Sequence, residues 1–286
     1  MDNLRSKIRS VALTFASPTV GFSFILLLEM YLDVELSKLL SSIVNLVVVA
    51  LIAFLIFPKW LGIPFGRIDT RGFLRRVGLY LPDGAWKHVI LGLSLAGCTL
   101  SGMFLASVLT GSYVMDAGTI NLPHLVFSLN PALWEELFYR GVMMILLLRY
   151  TGSLRRASAI QAVLFGMAHI KGLGAWAFVD VFTVIVISIG FTYAAYKTRS
   201  LLAGVTFHYF HDALLKFVQI PSTVDPGVTH RVLFNVFLWV MVGVGCVVTK
   251  LAVDRYKVRA PAELYRYEGV KASITHEESK PAVDVR

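Results

Sequence analysis

Cysteine is nearly absent from this chain, and charge is sparse. Only Cys98 and Cys246 occur in 286 residues, each inside an apolar run. They form neither a CxxC pair nor a metal-ligand spacing. A disulfide framework and a cysteine metal centre are therefore excluded, and both thiols read as small buried hydrophobes. Charged residues make up 16% of the sequence against 56% hydrophobic, whereas a soluble domain of this size carries roughly a quarter of its residues charged. Acidic side chains are the scarcer kind, 18 against 27 Lys and Arg, giving a net charge of +9 and a pI near 9.6. In a soluble protein that balance would raise nucleic acid as a partner. In so apolar a chain, cytoplasmic loops facing anionic lipid explain it better, and no nucleic acid is expected. Missing too are an HExxH pair and any internal repeat. No clear cleavage site follows the basic start (Arg5, Lys7, Arg9) and its long apolar segment, so the first span is expected to stay.

What is present is a series of apolar runs of roughly 17–23 residues, the pattern of a polytopic helical membrane protein. Spans are predicted over Val11–Leu32, Leu39–Phe57, Val89–Thr110, Val126–Leu148, Ala157–Ile170, Ala175–Tyr196, Leu201–Phe217 and Val232–Leu251. The fold class that follows is all-α, with about eight transmembrane helices around an intramembrane polar cavity. The fifth run is short, as suits a helix surrounded by protein. The seventh carries His208, His211, Asp212 and Lys216 and should face the bundle interior. With the N-terminus inside, 22 of the 27 Lys and Arg fall in inner segments. Both termini are therefore predicted to be cytoplasmic, in the plasma membrane if the source is prokaryotic. Residues 59–87 alternate apolar side chains with Arg67, Arg71, Arg75 and Arg76 and read as an amphipathic segment at the inner interface. The whole is one transmembrane domain over residues 1–253. A polar, loosely ordered tail is expected over 254–286.

Inside the fourth run stand Trp134-Glu135-Glu136-Leu137-Phe138-Tyr139-Arg140-Gly141-Val142. A single such charge costs roughly 2.5–3.5 kcal/mol at the membrane centre on insertion scales, and this stretch carries three. On an α-helix, Glu136 and Arg140 are four apart and pair along one face, while Glu135 is rotated about 100° away and points elsewhere. That leaves Glu135 as the unpaired carboxylate and general-base candidate. The bland alternative is an ion-pair cluster holding two helices together. His169, ending Phe165-Gly166-Met167-Ala168-His169, reads by itself as a packing residue walled by Phe165 or as a catalytic base. His208 and Asp212 are four apart on one face, so the carboxylate can orient the imidazole. His211, rotated about 60° from His208, faces the same cavity or a neighbouring helix. Counted from the inner ends at about 1.5 Å per residue, Glu135 and His169 lie roughly 20 and 18 Å deep and His208 only near 10 Å.

Glu135-Glu136-x-x-x-Arg140, Phe165-x-x-x-His169 and His208-x-x-x-Asp212, in that order on three spans, resemble the three-motif pattern of the CPBP intramembrane proteases. That family comprises type II CAAX prenyl endopeptidases and bacteriocin-processing or immunity relatives. Gly190 and Thr198-x-Ser200-Leu201 before the third motif are similar as well, and the resemblance covers about residues 126–218. It implies a glutamate-dependent protease without a cofactor. Glu135 and His169 would activate water, His208 and Asp212 would stabilise the oxyanion, and Glu136 with Arg140 would hold the base in place. Many relatives carry Asn where this chain has Asp212. The implied partner is a membrane-anchored, possibly lipidated protein or peptide reached from the bilayer. Nothing in the pattern fixes an oligomeric state. Three rivals share the residues: a zinc-dependent hydrolase, a non-catalytic immunity or scaffold protein, and an ion-coupled transporter. The transporter would call for broken helices in two related halves, which the sequence lacks.

Overall fold

Between Ala85 and Leu109 the only charged side chain is Lys87, at the start, and nothing interrupts an α-helix over that range. The computed structural model describes residues 70–111, 122–170, 175–215 and 227–258, with Val47, Leu51, Phe57 and Leu61 besides. Helices run in the order α1 (Thr70–Arg76), α2 (Ala85–Leu109) and α3 (Leu122–Glu135), which continues into a π-helical stretch, Glu136–Met143, and then α4 (Met144–Thr151). After these come α5 (Leu154–Met167), α6 (Ala175–Thr198), α7 (Leu202–Leu215) and α8 (Gly227–Tyr256). No strand occurs among the described residues. These helices overlie the third to eighth predicted spans. The first span and nearly all of the second lie outside the described residues.

Among the described residues three helices are long and apolar enough to cross a membrane: Ala85–Leu109, Trp176–Thr198 and Gly227–Tyr256, with mean hydropathies of 1.9, 1.9 and 2.3. The shorter α5 and α7 each pack on at least one of them. Helix α7 packs on α2, α3 and α6, and α5 packs on α6 and α4. The closest approach joins α2 to α7. A Cβ at Gly92 would lie 2.6 Å from both the Ala203 carbonyl oxygen and Thr206 Cβ, so only glycine lets the two backbones meet there. Every residue of the π stretch is buried. Around it lies the largest apolar cluster, in which Phe138 and Val142 meet Phe57, Phe73, Val77 and Leu201.

That cluster changes the reading of residues 59–87. Arg71 and Arg75 are exposed as expected, but Phe73 and Val77 are buried. The apolar face of α1 is taken up by the protein's own core instead of a lipid interface; residues 62–69 lie outside the described residues. The turn between α6 and α7 rests on the chain that follows α1, with Leu201 N–H donating to the Gly78 carbonyl at 2.7 Å. Ser200 and Leu201 have no exposed surface. Helix α7 thus starts inside the protein, not at a water-facing loop, and the shallow depth counted for His208 is corrected on that ground. At the far end α8 stays helical through Tyr256, slightly beyond the predicted start of the tail. There Lys87 Nζ donates to the Tyr256 carbonyl at 3.3 Å, joining the start of α2 to the end of α8. Residues 259–286 lie outside the described residues.

Candidate active site

The six charged or imidazole side chains singled out in the sequence come together where the π stretch, α5 and α7 meet. The π stretch widens the helix by one residue per turn: Met144 N–H bonds to the Tyr139 carbonyl, five residues back. Glu135, the last α-helical residue, and Glu136, the first of the π stretch, both reach His208 from opposite sides of the ring. Glu136 Oε1 lies 3.2 Å from Nδ1, and Glu135 Oε2 lies 3.8 Å from Nε2. As the helical projection expected, Glu136 pairs with Arg140 and Glu135 points elsewhere, to the far side of the same ring. An imidazole seated between two neighbouring carboxylates is reached by both.

Glu135 Oε2 also lies 3.7 Å from His169 Nε2, and it has no hydrogen bond to the protein among the described residues. His169 sits in the turn after α5. Its Nδ1 lies 2.8 Å from the Phe165 carbonyl, and its ring packs 4.5 Å from the Phe165 ring. A carbonyl only accepts, so Nδ1 carries the hydrogen, and Nε2 is the ring nitrogen turned toward Glu135. His208 is fixed by the same logic, because Glu136 accepts from its Nδ1. Its Nε2 then lies 3.5 Å from Asp212 Oδ2. Four groups converge on one partly open point: Glu135 is 19% exposed, His169 and Asp212 30% each, and His208 10%.

Glu136 and Arg140 behave differently. Both are fully buried, with Arg140 Nη1 at 3.0 Å from Glu136 Oε1. The Arg140 guanidinium lies between the rings of Phe165 and Phe191, at 4.1 and 4.7 Å. Removing one member of such a pair costs about 3–5 kcal/mol, because the other charge is left stranded in low dielectric. The pair is thus closed off from the partly open point where the other four groups meet. Room for it comes from α7, since a Cβ at Gly204 would lie 2.9 Å from Glu136 Oε2.

His211, left open between the cavity and a neighbouring helix, goes to the helix. Its Nδ1 lies 3.2 Å from Thr99 Oγ1 on α2, and its ring meets the edge of Phe207. Sequence reasoning missed Gln161, Ser188, Thr192 and Gly204. Ser188 and Thr192 left a usable signal: two hydroxyls four apart in an otherwise apolar span put a polar stripe on one helix face. Among the described residues no cluster of three or more His, Cys, Asp or Glu is placed to hold a metal ion.

Residues 117–214, which contain all six side chains, match the family model for Type II CAAX prenyl endopeptidase Rce1-like proteins. This stretch is similar to an Rce1-like domain. The match agrees with the resemblance drawn from the three motifs and with nearly the same span of chain. Residues 1–116 and 215–286 lie outside it. Neither a curated protein nor a solved structure matches the chain. The Rce1-like domain and the three long apolar helices together indicate an integral membrane protein related to CAAX-type proteases.

Proposed function

We propose that the protein is an intramembrane endopeptidase of the CAAX type, which hydrolyses a peptide bond near the C-terminus of a membrane-anchored, prenylated protein or peptide. The observation that carries the reading is the meeting of Glu135 Oε2 with the two Nε2 atoms of His169 and His208 at 3.7 and 3.8 Å. One water can touch Glu135 and His169 together. Both offer only lone pairs to it, so the water donates a hydrogen to each and keeps its own lone pairs for a carbonyl carbon. As its oxygen bonds to that carbon, its proton passes to Glu135 and the carbonyl electrons move onto oxygen. The Glu135 proton then goes to the departing amine as the C–N bond breaks. Doubly protonated His208 donates from Nε2 to the oxyanion, and Asp212 stands beside the same point. Glu136 and Arg140 keep the imidazole in register.

The further expectations belong to the same reading: about eight spans, both termini cytoplasmic, and residence in the plasma membrane if the source is prokaryotic. The test is cleavage of a fluorogenic peptide with a farnesylated cysteine three residues before its C-terminus, by purified protein in liposomes. Wild type releases the tripeptide, and Glu135→Gln and His169→Ala each lose about 10²–10⁴-fold in rate. Loss of activity on chelation, restored by zinc, would move water activation to a metal and favour the zinc hydrolase. If Glu135→Ala and His169→Ala complement a deletion strain as well as wild type does, the protein is a scaffold.

A further inference from the structure

Arg140 does not end its contacts at Glu136. Its Nη2 donates to Ser188 Oγ on α6 at 3.0 Å. A hydroxyl that accepts from a guanidinium still has its own proton to give, and Ser188 gives it to Gln161 Oε1 on α5 at 3.3 Å. Thr192, one turn further along α6, donates to the same Gln161 oxygen at 2.9 Å. A carbonyl oxygen has two lone pairs, and these two hydroxyls use both. The direction of every proton is therefore fixed from Arg140 through Ser188 to Gln161. Ser188 and Gln161 have no exposed surface, and Thr192 is 3% exposed. Away from water, turning either hydroxyl from Gln161 Oε1 leaves a further buried donor unmet, beside Gln161 Nε2, which has no hydrogen bond among the described residues.

The network leads back to the reactive groups by two routes. Through Arg140 and Glu136 it reaches His208 Nδ1. From α5 into the turn after it, Gln161, Phe165 and His169 follow one another at four-residue intervals. The Phe165 ring lies against Arg140 and the Phe165 carbonyl holds His169. We infer that Gln161, Ser188 and Thr192 are positioning residues of the site, which set the orientation of Glu136 and through it the ring of His208. They touch no substrate. Their part in rate rests on the hydrolytic reading above, but their hold on the His208 ring does not.

Near-isosteric variants test this: Gln161→Met removes the double acceptor, and Thr192→Val removes one of its two donors. The matched control is Thr183→Val, which breaks a buried link between α6 and α8, where Thr183 bonds Asn235 and Trp239 away from the site. Two measurements are made on liposome-reconstituted protein. In farnesyl-peptide cleavage, Gln161→Met and Thr192→Val lose at least tenfold in kcat with KM within twofold of wild type. Thr192→Ser restores the rate, and Thr183→Val keeps it. In ¹⁵N spectra of imidazole-labelled protein, the His208 ring resonances move in both network variants and stay in place in Thr183→Val. The inference is overturned if the His208 resonances of Gln161→Met and Thr192→Val coincide with wild type, or if Thr183→Val shifts them and lowers kcat equally. Should wild type fail to cleave, the hydrolytic reading falls and the resonances still decide this one.

Discussion

Asp212 is the site residue whose role the contacts leave most sharply posed. Its Oδ2 lies 3.5 Å from His208 Nε2, on the open side of the site. An Asn in its place keeps an oxygen and adds an amide donor, while a Leu offers neither. If Asp212 serves the oxyanion, Asp212→Asn cleaves the farnesylated peptide at a rate comparable to wild type, and Asp212→Leu falls by about 10²-fold in kcat. An inactive Asn variant would show instead that the carboxylate is needed as an acceptor holding His208. Glu135 and Glu136 make the complementary point. They are neighbours with the same side chain, yet one is fully buried against Arg140 and the other is partly open between two imidazoles. Environment alone divides the supporting carboxylate from the reactive one.

At the scale of elements, the π stretch and two glycines decide whether the residues meet. A change of hydrogen-bonding register from Glu136 to Met143 leaves no mark in hydrophobic periodicity. Gly204 and Gly92 each admit a neighbour that a methyl would displace, but the neighbours differ. Gly204→Ala sets its Cβ against the Glu136 carboxylate, whereas Gly92→Ala sets it against α7 backbone. Overpacking of this sort costs about 1–3 kcal/mol. Gly204→Ala is expected to lose peptide cleavage with little change in thermal midpoint, because the end of a side chain gives way. Gly92→Ala is expected to lower the midpoint measured in detergent, because two helices must part. The opposite pairing would mean that the α2–α7 contact serves the chemistry and the Glu136 seat does not.

For the molecule as a whole, the contacts of Lys87 with Tyr256 and of Leu201 with Gly78 place the start of α2, the α6–α7 turn and the end of α8 at one end of the bundle. Arg75, Lys87, Lys197 and Arg255 lie in or next to these segments, and the proposed orientation puts this end on the inner side. With Cys98 and Cys246 replaced by Ala, single cysteines at Asp83 and Lys257 should react with an impermeant maleimide in inverted vesicles. One at exposed Val228 should react only in right-side-out vesicles. Labelling of Asp83→Cys and Val228→Cys from the same side would break the proposed orientation.

Apolar run lengths determined that the chain is helical and made for a bilayer. Three short motifs determined which side chains are candidates for the chemistry and the family pattern they resemble. Those properties reside in local composition and spacing, where burial cost and helical period act on neighbouring residues. Tertiary structure alone decided that α7 begins beneath residues 73–79, which brings His208 level with Glu135. It also decided that both carboxylates grip one imidazole, that His211 belongs to α2, and that Gln161, Ser188 and Thr192 close a buried hydrogen-bond path onto Arg140. Each of these depends on partners far apart in the chain, and a donor buried in apolar surroundings takes its acceptor from whichever helix packing sets beside it.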